Sequence, residues 1–289
     1  MLSQSPERLP GEPGSTDSVS ELGQALDAGI YGGKAVHLGT AIRHGLPVPP
    51  GYAMSTGFVD AVAAGDPSAL AAVATISAEL GLVAVRSSAV DEDSEGASFA
   101  GAHLSVLGVT GSSAIVAAVR AVRDSAHDAG AQKYRDALGL DTQAQMAVVV
   151  QQLLDADVAG VLFSRNPVTG AHERVIEASW GLGESVVSGA VTPDSYRVAP
   201  GGQVLERRLG DKDVAIRPVS GPDGLVVTEE IPVDPALDGT YCLSDAQLAA
   251  LDALASQCDR VYGTTDHDIE FAFRGGEVFL LQRRPITRA

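Results

Sequence analysis

Apolar residues recur at helical spacing through much of the first half of the chain. Between residues 34 and 44 they stand at Ala35, Leu38 and Ile42, three to four positions apart. The pattern stops at Gly45, and three prolines follow within the next five residues. A glycine followed by prolines is typical of the end of a helix. The pattern therefore predicts a helix over residues 34–44.

Two further helical stretches flank a short strand. Residues 61–80 are rich in alanine, and residues 115–138 have the apolar spacing of one or two amphipathic helices. The apolar run at 82–86 predicts a short buried strand. Residues 1–18, by contrast, are rich in Pro, Gly, Ser and Glu and have no apolar period. We expect them to form a mobile leader.

The second half of the chain carries short apolar runs of the kind that form strands. Residues 146–153 are rich in β-branched residues, 160–164 and 174–178 are shorter runs, and 226–231 is the weakest. These runs predict a set of short strands.

The last two apolar runs, 268–273 and 277–282, are separated by Arg-Gly-Gly at 274–276, which predicts a hairpin. Helices and strands are mixed without a regular alternation. The pattern therefore favours an α+β fold with subdomains around a cleft, and not a doubly wound sheet. We expect one domain over residues 19–289, with a subdomain break near 190–225.

Composition and charge exclude several classes of partner. The chain has 289 residues, of which 37 are acidic and 20 are basic, for a net charge of −17. It has no basic stripe, so we expect no nucleic-acid partner. No run reaches the roughly 18 apolar residues of a membrane span, and no secretory signal begins the chain, so we expect no membrane partner. Cys242 and Cys258 form no Cys-x-x-Cys pattern. Two reduced, buried thiols in a cytoplasmic protein are expected.

Two common phosphate-binding motifs can be excluded. The Gly-Gly-Lys sequence at 32–34 resembles the end of a P-loop, but Ala28 and Ala35 stand where that loop needs glycine and a hydroxyl residue. The Gly-Leu-Gly sequence at 181–183 opens like a dinucleotide fingerprint, but Val186 occupies its third glycine position.

Taken alone, each polar segment has an unremarkable structural explanation. Lys34 fits an exposed helix position, and residues 86–88 fit a strand end that caps a helix. Residues 91–93 fit a solvated acidic loop, and Gln282 and Arg284 fit the polar ends of a hairpin. Their joint occurrence in one order changes this interpretation.

The order and approximate spacing of these segments resemble the ATP-binding domain of the phosphoenolpyruvate synthase and pyruvate phosphate dikinase family. The resemblance to rifampin phosphotransferase, which shares this module, is as good. It spans Leu22 to Thr287, nearly the whole chain. The matching segments are Gly-Gly-Lys at 32–34, Gly-Leu-Pro-Val-Pro-Pro-Gly at 45–51, Val-Arg-Ser-Ser-Ala at 85–89, Glu-Asp at 92–93, Ala-Ser-Phe-Ala-Gly at 97–101, Gly-Val-Leu-Phe-Ser at 160–164, Asn-Pro at 166–167, Gly-Leu-Gly-Glu at 181–184, Val-Ser-Gly at 187–189, Asp-Ile-Glu at 268–270 and Gln-Arg-Arg-Pro-Ile-Thr at 282–287.

The resemblance implies an ATP-grasp fold that binds ATP and Mg²⁺. Lys34, Arg86 and Arg284 would carry the phosphates as catalytic cations, since Lys supplies a compact charge and Arg forks onto two oxygens. Glu270 and Gln282, on the two arms of the hairpin, would converge on the metal through oxygen atoms.

Further nucleotide contacts follow from the same resemblance. Asp268 lies two residues before Glu270 and so on the same strand face. Ser98 and Gly101 belong to the small, flexible run 97–101, which would close over the phosphates. Gln151, or its neighbour Gln152, lies where the adenine slot is expected. Glu184, like Glu177, would assist at the ribose or metal, and a buried structural role is equally open for both.

The resemblance implies that a histidine of a swivelling domain accepts the phosphoryl group from ATP and that a third domain passes it to the final acceptor. The signature of that histidine, a Gly-Gly pair followed closely by Ser-His, is found around none of the six histidines. We therefore expect an AMP-forming, dikinase-type component that phosphorylates a histidine on a separate partner protein, with the final acceptor open. The alternatives are a direct kinase of a small molecule and a non-catalytic ATP-sensing module.

Overall fold

The computed structural model describes residues 18–89, 104–126, 145–221, 226–237 and 239–286. By its internal contacts the chain divides into two compact units. Of the described residues, the first unit comprises 18–36, 50–89, 104–126 and 145–152, and the second comprises 37–49 and everything from 153 onward.

The first unit is an antiparallel sheet of five strands in the order β1-β2-β5-β3-β4. These strands are β1 (Val19–Glu21), β2 (Gly51–Met54), β3 (Leu82–Ala89), β4 (Ser105–Thr110) and β5 (Met146–Gln152). Its helices are the first part of α1 (Ala28–Arg43), then α2 (Thr56–Ala64), α3 (Pro67–Leu80) and α4 (Ser112–Ser125). A short 3-10 helix covers Leu22–Gln24.

The two faces of β3 have different surroundings. Val83 and Val85 pack in the apolar core with helices α2, α3 and α4. Because successive side chains alternate across a strand, Arg86 and Ser88 point to the opposite face. Gln151 pairs directly with Ala84 in the β3–β5 ladder, so it shares the face of Arg86.

Helix α1 confirms the helix predicted at 34–44 and begins earlier. It has one kink, at Gly32, where φ is 76° and ψ is 164°. The helix predicted over 61–80 is two helices, which corrects that boundary. Gly65 ends α2 in a left-handed conformation, and the Asp66 side chain then accepts hydrogen bonds from the first backbone amides of α3.

The second unit contains an antiparallel sheet of six strands, in the order β13-β12-β6-β7-β8-β9, and a separate pair, β10-β11. The strands are β6 (Val158–Phe163), β7 (Arg174–Trp180), β8 (Asp194–Val198), β9 (Val204–Arg208), β10 (Val214–Ser220), β11 (Val226–Pro232), β12 (His267–Arg274) and β13 (Glu277–Pro285). Helices are α5 (Glu184–Val187), α6 (Asp245–Tyr262) and the short 3-10 helix Pro235–Leu237.

Helix α6 packs on one face of the six-stranded sheet. Leu248 and Leu251 of the helix share a core with Ile269 and Phe271 of β12. Helix α6 was not predicted from the sequence, although its signals are present. Ser244 forms a capping box with Gln247, and apolar residues then follow at helical spacing.

The α+β class and the predicted strands are confirmed, including the final hairpin. Helix α4 confirms the first part of the helical stretch at 115–138, and residues 127–138 lie outside the described residues. Of the leader expected over 1–18, only Ser18 is described, and it is buried. The stretch 190–225, where a subdomain break was expected, falls within the second unit.

Among the described residues, no single helix is long and apolar enough to cross a membrane; only the pair α2 and α3, bent by 104°, meets the length and composition criteria together.

Candidate functional site

The hairpin of β12 and β13 carries the last two of the matching sequence motifs, at 268–270 and 282–287. Its turn is Gly275-Gly276, with φ of 60° and 84°, and Arg274 pairs with Glu277 on either side of it. Two positive φ values are those of a type I′ turn, which glycine adopts without strain. The hairpin register is therefore set from this end.

A β-bulge decides which residues of β13 face the residues of β12. Phe271 pairs with Leu280, but the next pair is Glu270 with Gln282, so Leu281 is an extra residue in β13. Beyond the bulge, Asp268 pairs with Arg284. Bulges of this kind are common next to functional sites because they re-aim side chains. Glu270 and Gln282 therefore lie directly opposite each other on the two arms of the hairpin.

Four side chains consequently meet on the sheet face that points away from α6. The Arg284 Nε donates a hydrogen bond to Asp268 Oδ2 at 3.0 Å, and Arg284 Nη2 lies 3.6 Å from Glu270 Oε1. The Arg284, Asp268 and Glu270 side chains are 24%, 17% and 20% exposed, and Gln282 is buried. The hairpin presents one cation, two carboxylates and an amide within a partly buried patch.

The same register continues across the sheet from the hairpin. Directly paired residues form a line that we name the Glu270 row: Gln282, Glu270, Val161, Glu177, Ser195 and Arg208. Neighbouring strands lie about 4.8 Å apart, so Glu177 is about 10 Å from Glu270 on one face. This placement brings Glu177 toward the hairpin.

A polar cavity of about 290 Å³ lies at the far end of this face, beside Ser195 and Arg208. The two carboxylate oxygens of Glu173 accept hydrogen bonds from Nε and Nη2 of Arg197, and Oε1 also accepts one from Asn166. These donors lower the Glu173 pKa below its usual value although burial opposes them. Glu173 and Arg197 were not predicted from the sequence, because ion pairs between distant residues have no local signal.

The first unit carries the remaining predicted cation and adenine positions. Lys34 is 4% exposed, in α1 just after the kink at Gly32. The interpretation of Lys34 as a solvated residue is therefore wrong. Arg86 lies on β3 and Gln151 on β5, on one face of the sheet. Ser88, two residues after Arg86, accepts a hydrogen bond from the Ala35 backbone at 3.1 Å.

Other predicted residues are placed differently. Glu184 begins the short helix α5 and is exposed on the surface. Ser98 and Gly101 lie outside the described residues.

The family follows from a comparison with known proteins. Residues 68–289 match the model of the pyruvate phosphate dikinase AMP/ATP-binding domain. The chain belongs to this family. The matched residues include both strands of the hairpin, β12 and β13.

Relatives of the domain are longer proteins. A probable phosphoenolpyruvate synthase from Methanothermobacter thermautotrophicus is 35% identical, with 92% of this chain and 45% of the relative covered. The uncharacterized phosphotransferase YvkC of Bacillus subtilis is 32% identical, with 89% and 33% covered. The prodigiosin synthesizing transferase PigC of Serratia marcescens is 35% identical, with 91% and 32% covered. The chain spans less than half the length of these relatives.

Among solved structures, D-alanyl-alanine synthetase A from Vibrio cholerae matches 91% of this chain and 57% of its own, with 10% identity and a TM-score of 0.39. A score of this size does not establish a common fold, so the α+β class rests on the helices and sheets described above.

The oxygen donors of the hairpin fit a magnesium ion that is ligated partly by these side chains and partly by phosphates. Among the described residues, no group of three or more His, Cys, Asp or Glu side chains could hold a metal alone. Mg²⁺ is usually bound by one or two carboxylates together with substrate phosphates, and not by an all-protein cage. Asp268, Glu270 and the amide oxygen of Gln282 supply hard oxygen donors of this kind.

Proposed function

We propose that this chain is an ATP-grasp domain that binds Mg-ATP and donates a phosphoryl group, in an AMP-forming reaction, to a histidine on a separate partner protein. The observation that carries the proposal is the convergence of Asp268, Glu270, Gln282 and Arg284 on one face of the hairpin. The family model, which is that of an AMP/ATP-binding domain, supports it.

The assigned roles follow from charge and donor type. Phosphoryl transfer needs positioning and neutralisation of negative charge more than covalent chemistry. Arg284 would leave Asp268 and Glu270 for the phosphates, while those carboxylates and Gln282 hold the metal. Magnesium would neutralise the phosphate oxygens. Lys34 and Arg86 are proposed from the family resemblance as further cations for the phosphates.

The remaining contacts are proposed from the family resemblance. Gln151 is the candidate for the adenine end, and Ser98 and Gly101 for a loop over the phosphates. Glu184 is proposed for the ribose or metal side; its exposure is compatible with a ligand contact and disfavours the buried structural role. Cys242 and Cys258 are free and buried, which supports the cytoplasmic location that we propose.

The acceptor histidine is proposed to belong to the partner. Of the histidines in the described residues, His267 is nearest to the hairpin motif, but it is buried on the α6 side of β12. Its Nδ1 accepts a hydrogen bond from Arg283 at 2.9 Å. Burial and the nearby Arg283 charge lower its pKa to about 4. A ring held in this way is unsuited to attack a phosphate on the opposite face.

Product analysis with ATP labelled separately at the β- and γ-phosphates tests the proposal. The chain alone should release little product, since a donor site that excludes water has no outlet. Adding histidine-bearing proteins encoded beside this chain should give AMP and β-label on one of them, in acid-labile and alkali-stable form. ADP formed with a small molecule and no second protein would instead identify a direct kinase. Tight binding without turnover under all these conditions would identify a sensing module.

A further inference from the structure

Strand β3 and the start of α1 touch at a point where only glycine fits. At Gly32 the backbone has a φ of 76°, and a Cβ atom there would lie 1.9 Å from the Ser88 carbonyl oxygen. Such a contact is far inside van der Waals distance, so any larger residue would push the two segments apart. The turn before Lys34 is therefore seated directly on β3.

A single hydroxyl bridges these segments. Ser88 Oγ donates a hydrogen bond to the Tyr31 carbonyl oxygen at 2.7 Å and accepts one from the Ala35 amide at 3.1 Å. Tyr31 and Ala35 lie on either side of the kink and enclose Lys34 in the sequence. Ser88 thus replaces backbone hydrogen bonds that the kink interrupts, as a helix-capping residue does.

The same segment is held from its other side. The hydroxyl of Tyr31 lies 2.6 Å from Ser18 Oγ and 2.9 Å from Ser20 Oγ, and Tyr31 is fully buried. The residues before Lys34 are consequently fixed both at the Tyr31 ring and at its carbonyl.

The clamp also relates Lys34 to Arg86. Ser88 and Arg86 are two residues apart on β3, so their side chains leave the same face about 7 Å apart. Because Ser88 bonds to the residues that flank Lys34, this lysine starts from the face of the sheet that carries Arg86. The positions of Lys34 and Arg86 are therefore both fixed relative to β3.

We propose that Ser88 is a positioning residue that sets Lys34 relative to Arg86 for binding the phosphates of Mg-ATP. The inference rests on the proposed function, because it takes both cations to be phosphate ligands. Ser88 itself touches no phosphate; it acts through the backbone at Tyr31 and Ala35.

Ser87 provides a matched control on the same strand. It is as deeply buried as Ser88 but points toward the apolar core, and its Oγ has no hydrogen-bond partner among the described residues. Ser87→Ala and Ser88→Ala remove the same atom from adjacent positions, and only the second breaks the bridge to α1.

The test is calorimetric titration of the full chain with Mg-ATP, which returns both the dissociation constant and the fraction of molecules that bind. Ser88→Ala should raise the dissociation constant about tenfold, as expected from misplacing one charge-assisted contact, with an unchanged binding fraction. Ser87→Ala should stay within about twofold of the parent chain. Ser88→Thr, which keeps the hydroxyl, should recover most of the affinity.

Two results would overturn the inference. Ser88→Ala could bind as tightly as Ser87→Ala, or it could lose only binding fraction at an unchanged dissociation constant, as a purely structural residue would. Lys34→Ala and Arg86→Ala are titrated as well, to distinguish a failure of the Ser88 inference from a failure of the phosphate assignment. If these variants bind Mg-ATP like the parent chain, the proposed phosphate assignment itself fails.

Discussion

Arg284 pairs with Asp268 and lies near Glu270, so one guanidinium faces the charge of two carboxylates. A cation bound to these carboxylates would compete with Arg284 and release its donors for phosphate oxygens. Metal and nucleotide binding should therefore depend on each other at this residue. Ion pairs that are only partly buried are weak enough to exchange in this way.

Removing Arg284 should weaken nucleotide binding. A hydrogen bond to a charged group contributes roughly 1.5–3 kcal/mol, so Arg284→Ala should raise the Mg-ATP dissociation constant at least tenfold. Lys34→Ala and Arg86→Ala should act in the same direction. Equilibrium titration measures the effect, and Arg208→Ala is the control, because Arg208 is 76% exposed at the other end of the Glu270 row. Unchanged affinity in Arg284→Ala would remove it from the site.

Glu270→Gln should abolish magnesium-dependent turnover without unfolding the chain. The substitution keeps the shape of the side chain and its partner Gln282 but removes the charge that a hard cation needs. Asp268→Asn should have a smaller effect in the same direction. The measurement is the magnesium dependence of nucleotide binding by the chain and of turnover in the presence of the histidine-bearing partner, with Glu277→Gln as the control on the exposed start of β13. Normal magnesium dependence in Glu270→Gln would exclude it as a ligand.

At the scale of elements, a cluster of buried polar side chains packs against the α6 face of the hairpin. Arg283 donates to His267 and stacks over the Tyr262 ring at 4.4 Å. His267 Nε2 lies 3.4 Å from Asp259 Oδ1, and Arg174 bonds to Asp259 in turn. These contacts join β12 and β13 to α6 and β7. Because Arg283 must donate to Nδ1, His267 is held in its neutral form.

Stability should fall as pH drops below the ordinary pKa of histidine. The folded chain holds the His267 pKa at about 4, mainly through burial and then through Arg283, whereas the unfolded chain takes up the proton near 6.5. The stabilisation is thus complete above pH 6.5 and is lost progressively toward pH 4. Between pH 7.5 and 5 the loss should be about 2 kcal/mol.

Urea denaturation at several pH values measures this dependence. His267→Asn, whose amide oxygen can still accept from Arg283, should flatten the pH dependence by about that amount, whatever its effect at pH 7.5. His172→Gln is the control, because His172 is exposed. An identical pH dependence in the parent chain and His267→Asn would contradict the neutral, buried assignment.

Sequence patterns predicted the elements whose signals are local. The final hairpin was identified from its glycine turn and the two apolar runs, and Glu270 and Gln282 were placed on facing arms. The bulge at Leu281 could not be predicted, because strand alternation alone does not specify where one extra residue enters. Strands β8 and β9 were missed because their burial depends on pairing with distant strands and not on their own apolar period.

The residues of the candidate site likewise fall into those with a local sequence signal and those without one. Lys34, Arg86 and Asp268 stand in short motifs that the resemblance to the family singles out. Ser88 was visible only as a member of a motif, since its hydrogen bonds reach residues more than 50 positions away. Long-range contacts of this kind are fixed by the fold and leave no periodic pattern.

At the scale of the whole molecule, the chain is strongly acidic, with a net charge of −17. An anionic nucleotide approaches such a surface against its average field, so the proposed binding would depend on local cations and on magnesium. The charge therefore makes the three candidate cations more important than they would be in a neutral protein.

Mg-ATP should accordingly stabilise the chain against heat. At a hundredfold excess over the dissociation constant, binding to the folded state adds about 2.7 kcal/mol, which corresponds to roughly 5–10 °C in Tm for a chain of this size. Thermal unfolding with and without Mg-ATP measures the shift. Chelation of magnesium, or Arg284→Ala, should remove most of it. An equal Tm in all four conditions would argue against a nucleotide site.

The bulge at Leu281 sets the register of the hairpin beyond Phe271. If β13 paired with β12 without interruption from the Gly275-Gly276 turn, Leu281 would face Glu270 and Arg283 would face Asp268. In that register Asp268 would still lie opposite a guanidinium, that of Arg283, but Glu270 would lie opposite the apolar side chain of Leu281. A shift of β13 to this uninterrupted register would thus keep a guanidinium opposite Asp268 but remove the amide oxygen of Gln282 from its place opposite Glu270.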